Sequence, residues 1–264
     1  MKTCINRLER IMKFKSFAVF AVFAVTALVF SACATNRITP EQESISHFKM
    51  GLSRMESGNN ESAMYEFNQA IRFDDNNKDA HFAAGVIHYR QNDLAGAERE
   101  FKKVLSLDPH YVDANNALGS VYAGKKEYEK AIKEFKTAAE SPYYKSQDTA
   151  YVNMGIAYDA MGDQEKAAQS FREALLIQPD NNLAMLSLAS EYFKMDKLDE
   201  AIKYYNKVID LYPDNLSANY QLGIVYFKLG RNKEAAESFR KAKNLAAPGS
   251  NAAVSIDKYL ELLK

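Results

Sequence analysis

The side chains able to do chemistry are few and scattered. The chain holds two cysteines and four histidines in 264 residues. The histidines are His47, His81, His88 and His110. His81 and His88 stand seven apart and so share one helix face. Both, however, fall in columns that otherwise carry packing residues, so no metal site is expected. There is no nucleophile motif, no phosphate-cradling glycine loop and no closely spaced cysteine pair. The chain therefore reads as non-enzymatic, with no cofactor and no small-molecule substrate. Lys and Arg total 34, as do Asp and Glu, and no basic stripe stands out. Nucleic acid is not an expected partner.

Cys33 is the one side chain set up for covalent chemistry. Upstream of it, residues 1–16 carry Lys2, Arg7, Arg10, Lys13 and Lys15 against a single acid, Glu9. An uncharged apolar run follows, Phe17–Phe30, and then Ser31-Ala32-Cys33. A basic head, a short apolar run and small residues make a secretory signal. The apolar run falls short of the roughly 20 residues that span a bilayer as a helix. A start at Met12 would leave a compact head of Lys13 and Lys15. The segment Phe30-Ser31-Ala32-Cys33 resembles the lipobox of bacterial lipoproteins, with Phe30 where leucine is usual. The resemblance implies that residues 1–32 are removed and that Cys33 is acylated. Cleavage removes five bases and one acid, leaving a mildly acidic chain with Cys33 as its sole cysteine and no possible internal disulfide.

The helices that follow are set by a tandem period. Gly51, Gly85, Gly119, Gly155, Ala189 and Gly223 are spaced by 34, 34, 36, 34 and 34 residues. Twelve residues after each comes an alanine: Ala63, Ala97, Ala131, Ala167, Ala201 and Ala235. Four further on stands an aromatic: Phe67, Phe101, Phe135, Phe171, Tyr205 and Phe239. Such a period means stacked supersecondary units, each burying its apolar face against a neighbour. Every unit divides into two amphipathic helices joined by a turn at Gly58, Asn92-Asp93, Gly162 or Gly230. The small residues let two helices approach, and the aromatic fills the space between them. Pro109, Pro179 and Pro213 end second helices. Thr39-Pro40-Glu41-Gln42 reads as a capped helix start. The free tether is then Ala34–Ile38, which reaches at most ~17 Å. Two extra residues lie between the third and fourth units, around Tyr143-Tyr144.

These columns are identified as the tetratricopeptide repeat, whose pattern W-x2-L-G-x2-Y, A-x3-F, P is met in Leu222-Gly223-x2-Tyr226 and Ala235-x3-Phe239. The tryptophan column holds His47, His81, Asn115, Tyr151, Met185 and Asn219 instead. The resemblance implies an all-α, right-handed solenoid of six helix-turn-helix repeats at 44–77, 78–111, 112–145, 148–181, 182–215 and 216–249. It follows a lipidated cysteine and tether at 33–39, with the array over 40–249 and a capping helix at 250–264. The first helix of each repeat would line a concave groove for a protein or peptide. The residues at groove positions are Phe48, Leu52, Phe82, Val86, Tyr89, Asn116, Val152, Asn153, Ile156, Leu186, Phe193, Tyr220, Ile224 and Phe227. This lining is apolar and aromatic, as binding surfaces often are. Phe48 and Phe82 take the position of the lysine with which one subtype holds a C-terminal carboxylate, which excludes that mode.

The layout of signal, short tether and six repeats resembles the pilus-biogenesis class of lipoproteins, which assist assembly of the type IV pilus secretin. That implies a scaffold lipid-anchored in the bacterial envelope, at the outer membrane and facing the periplasm. The alternative is a general periplasmic adaptor that docks cell-wall hydrolases or proteases. Acylation gives about 0.8 kcal/mol of membrane affinity per buried methylene. Replacing Cys33 with alanine is therefore expected to move the protein from the membrane fraction to the soluble one. Membrane retention of that variant would count against a lipid anchor.

Overall fold

The computed structural model describes residues 38–264. Cys33, the apolar run before it and most of the tether lie outside the described residues. Among those described there are only helices and short connections, with no strand and no helix long and apolar enough to cross a membrane. They form two compact units, divided after Asn77.

The first unit is one hairpin, α1 (Pro40–Glu56) and α2 (Asn60–Phe73). The Thr39 hydroxyl accepts from the Gln42 amide while the Gln42 side chain accepts from the Thr39 amide, and Pro40 opens the helix. Both orphan N–H groups are thus satisfied, as the sequence requires. Gly51 lies against the Phe67 ring. Buried Ser44 donates to the Ala70 carbonyl at 2.8 Å and accepts from the Asn77 amide at 2.8 Å.

The second unit holds five hairpins and a last helix. These are α3 (Lys78–Arg90) with α4 (Leu94–Leu107), α5 (Val112–Gly124) with α6 (Tyr128–Ala139), and α7 (Gln147–Ala160) with α8 (Gln164–Ile177). Then come α9 (Asn182–Lys194) with α10 (Leu198–Leu211), α11 (Leu216–Lys228) with α12 (Asn232–Leu245), and α13 (Asn251–Leu262). One contact recurs inside the pairs. A methyl added at Gly85, Gly119, Gly155 or Gly223 would come within 2.6 to 2.7 Å of a ring carbon of Phe101, Phe135, Phe171 or Phe239. All four rings are buried, and so are the column alanines beside them. In the fifth repeat, buried Ala189 and Tyr205 take these places, and burial pushes the Tyr205 phenol up to about 12.

The turns inside hairpins need a left-handed residue. Gly162 and Gly230 supply it, as the sequence suggests, and so does Asn92 at φ 60°. Lys126 (φ 62°) and Asp196 (φ 60°) do the same without glycine's freedom. Asp93, Asp163, Asn181, Asn215 and Ser250 cap the helices that follow them. Asn181 also donates to Asp148 at 2.9 Å within the fourth repeat, and the Tyr212 hydroxyl donates to the Asp180 carbonyl at 2.9 Å, tying the fifth repeat to the fourth.

The extra residues between repeats three and four form a loop closed by Gln147. Its amide donates to the carbonyls of Ala139 and Ser141, each at 2.9 Å. Tyr144 packs on Ala138, Ala139 and Ala150, whereas Tyr143 is 85% exposed. At the far end, Tyr259 of α13 stacks on Phe239 with centroids 4.8 Å apart, and Ile256 is fully buried.

In the first three repeats a polar pair replaces the tryptophan of the repeat pattern. His47 meets Glu66 at 2.6 Å, His81 meets Glu100 at 2.7 Å, and Asn115 donates to Glu134 at 2.8 Å. Each glutamate lies 19 residues after its partner. His81 is buried, so this histidine is a packing residue with a fixed acceptor.

Two predictions follow from these seams. Gly119→Ala must displace the Phe135 ring, and overpacking of this kind costs about 1–3 kcal/mol. Phe135→Ala should cost about 3–5 kcal/mol by leaving a cavity. Denaturant midpoints for both variants check this, and unchanged midpoints would refute the seam as the source of stability. The second concerns Glu98, held by Lys102 at 2.5 Å and by Lys125 at the end of α5. Hydrogen bonds from Lys102 and then Lys125 bring its carboxyl down to about 2. A depressed folded value stabilises above the unfolded one and loses that contribution as pH falls through the folded one. Glu98→Gln should cost about 1 kcal/mol at neutral pH, and the deficit should shrink as pH falls from about 4.5 toward about 2. Urea melts at several pH values provide the measurement.

Candidate partner-binding groove

The first helix of each hairpin carries the residues that the sequence places on a groove. On α1, Phe48 and Leu52 are both half-buried, and Phe48 packs on Phe67 with centroids 5.9 Å apart. In the second unit the same column behaves alike. Phe82 leans on Phe101 at 5.5 Å and on Tyr111 at 5.2 Å, and Tyr220 leans on Phe239 at 6.0 Å. Leu186 and Val86 are half-buried against their core clusters. These side chains give one edge to the core and one to the surface.

Val152 departs from the expectation. It is 3% exposed and belongs to the core around Phe171 and Met185. Its short branched side chain is enclosed there, unlike the half-buried Phe48, Phe82, Leu186 and Tyr220 of the same column.

Tyr89, Asn153 and Ile156 come together. They line one cavity of about 330 Å³ between α3, α5 and α7, with Ser120, Ala123, Gly124 and Ala160. Tyr89 is 41% exposed and Ile156 47%, both high for large apolar side chains. Asn153 donates to Asn116 at 3.2 Å, joining two of the expected residues across α5 and α7. The cavity exists because α5 offers small residues where its neighbours carry large ones. Ala123, Gly124 and Ala160 were not among the expected site residues, although the run Ser120, Ala123, Gly124 was a readable signal.

The rest of the lining is partly occupied by the chain itself. Lys228 lies over the Phe193 ring at 5.1 Å and pairs with Asp196 at 2.7 Å. Phe227 and Tyr220 meet Tyr259 of α13 at 5.4 and 6.2 Å, and Ile224 joins the same cluster. The last repeat's aromatic surface is thus covered, whereas the cavity at α3, α5 and α7 is open.

Between these two regions lies a charged cluster. Lys194 of α9 contacts Asp159 of α7 at 2.5 Å and Glu191 of α9 at 2.8 Å. Glu191 is 2% exposed. Its second carboxylate oxygen, Oε2, is buried without a hydrogen-bond partner. Burial raises the Glu191 carboxyl above its ordinary range; the Lys194 hydrogen bond opposes this and Asp159 reinforces it. Burial works against the Lys194 ammonium, but its bonds to Asp159 and Glu191 outweigh that and raise it.

A larger hollow of about 410 Å³ is bordered by Lys136, Glu140, Lys166 and Glu173 beside Tyr151 and Tyr158. It contains none of the expected groove residues, and its charges of both signs leave no single ligand class favoured. Among the described residues no cluster of three or more His, Cys, Asp or Glu could hold a metal.

Comparison with known proteins agrees with this architecture. A TPR repeat model matches residues 51–92 and 189–230, and tetratricopeptide repeat models match 89–145, 149–181 and 216–248. No curated protein sequence matches the chain. Among solved structures, PilF of Pseudomonas aeruginosa aligns with a TM-score of 0.70 at 21% identity, over 83% of this chain and 98% of that one. PilW, described as a widely conserved type IV pilus biogenesis factor, aligns with a TM-score of 0.72 at 20% identity, over 81% and 98%. YrrB, described as a TPR protein with an unusual peptide-binding site, aligns with a TM-score of 0.59 at 21% identity, over 73% and 97%. At these identities the likeness is one of fold.

Proposed function

The chain belongs to the tetratricopeptide repeat family, and from that premise we propose that it is a lipid-anchored envelope scaffold that grips an apolar segment of a pilus secretin or similar assembly. One observation carries the reading: the open cavity of about 330 Å³ flanked by the large, partly exposed apolar side chains Tyr89 and Ile156. Large apolar residues left outside a core, beside a hollow of side-chain size, suit an inserted leucine or aromatic anchor. Asn116 and Asn153 add amide groups beside it that can pair with a partner's backbone.

The envelope setting rests on the lipobox resemblance at Cys33, with a tether reaching at most ~17 Å that would hold the repeats near the bilayer. The secretin reading rests on the pilus-class layout and on the fold shared with PilF and PilW. No catalytic group is invoked; the work is binding and placement.

The test is a photoreactive residue in place of Ser120, crosslinked in intact cells. A secretin subunit is the expected product. Tyr89→Ser with Ile156→Ser should weaken its capture about tenfold or more, because two apolar anchors lose their burial. Circular dichroism should be unchanged, since neither side chain is fully buried and the column glycine–aromatic contacts remain. Crosslinks to a cell-wall hydrolase would favour the adaptor reading. Capture unaffected by the double variant would remove the cavity from the account.

A further inference from the structure

The Asp159–Lys194–Glu191 cluster does not balance as drawn with ionised carboxylates. Two carboxylates face one ammonium, and one of the two is almost wholly buried. A buried charge without full compensation is costly, and so is a buried oxygen with no donor. Glu191 Oε2 has both problems. Asp159 and Glu191 both contact the single Lys194 ammonium, and Asp159 raises the Glu191 carboxyl further, although two ionised carboxylates cannot bond to each other. One proton on Oε2 removes every conflict. The group becomes a donor, Asp159 becomes its acceptor, and Lys194 is left with one full negative charge to match.

The other nearby groups do not supply an alternative. From α10, the Tyr205 phenol feels the Glu191 charge but burial keeps it protonated. From α8, Arg172 donates to the Tyr192 hydroxyl at 3.3 Å. From α11, Lys228 pairs with Asp196. Lys194 and Asp159 therefore decide the state of Glu191.

We propose that Asp159, Glu191 and Lys194 form a one-proton clasp joining α7 to α9, which closes when Glu191 holds the proton and loosens when that proton passes to water. Loss of the proton places a second negative charge beside Asp159 with a single ammonium between them. The repulsion acts across neighbouring first helices, the elements whose spacing sets the groove. On the groove reading given above, the clasp makes partner affinity fall as pH rises. Its existence as a proton site does not depend on that reading.

The sign of the stability effect is fixed. Glu191 binds its proton more tightly in the folded chain, so stability is lost as pH rises from the ordinary carboxylate range, about 4.5, through the folded value. Glu191→Gln keeps the shape, supplies an amide donor toward Asp159 and cannot ionise. It should retain stability where the wild type loses it.

The decisive measurement is the side-chain carboxyl titration of Glu191 by carbon NMR in the 33–264 chain with Cys33→Ala. The midpoint should lie above the ordinary glutamate value. Asp159→Asn should lower it and Lys194→Met should raise it further, responses that a purely structural role would not produce. Thermal midpoints between about pH 5 and about pH 8 should fall for the wild type and stay nearly flat for Glu191→Gln. An ordinary midpoint for Glu191, or one indifferent to Asp159→Asn, overturns the clasp whatever the groove binds. A clasp that titrates as described while Ser120 crosslinks nothing at any pH would instead sink the groove reading alone.

Discussion

Close approach of a glycine backbone to a buried aromatic ring is the contact on which the rest depends. The first helix of such a repeat has no side chain at that point, so the ring of the second helix closes onto its backbone. The spacing of the pair, and hence the direction in which groove residues point, follows from that approach. The gap left by a missing methyl is too small for a methyl to enter, as the distances at Gly85, Gly119, Gly155 and Gly223 show. The fifth repeat reaches a similar end with Ala189 and Tyr205, which means that its helices are set to accommodate one more carbon. Repetition of a single contact, rather than one large core, is how such arrays distribute stability.

On that frame the polar groups are arranged as local solutions. Where the repeat pattern would carry tryptophan, His81 and Asn115 reach glutamates on the partner helix. Each pair satisfies its own buried atoms, so the substitution leaves no orphan. Glu191 stands apart because its compensation is incomplete without a proton. The same low-dielectric setting that strengthens a satisfied pair penalises an unsatisfied one. That asymmetry turns an ordinary surface-type triad into a group able to respond to pH.

The surface shows a division of labour along the second unit. At α11 and α13, aromatic residues of the groove column are used internally, with Tyr259 covering Phe227 and Tyr220. At α3, α5 and α7, small residues leave space and large ones stand beside it. An apolar column by itself does not distinguish these cases, because the same residue type serves as anchor or as filler according to what lies over it.

The period, the helix pairs, the capping box at Thr39 and the glycine–aromatic columns could all be read from the chain, because each depends on neighbours a fixed number of residues away. The left-handed turns at Gly162 and Gly230 were legible for the same reason. That at Lys126 was not, since nothing in a lysine asks for positive φ, and Asp196, although a tolerant residue type, lacks the glycine that marks those two turns. Most of the groove column was legible as a set of positions, but its use was not. Val152 sank into the core because its side chain is short, Phe193 came to lie under Lys228, and Tyr89 and Ile156 stayed open because α5 is small between them. Such outcomes depend on which side chains from distant repeats meet in space. Local spacing fixes the helices and their register; the fate of each half-buried side chain is settled only when the helices pack.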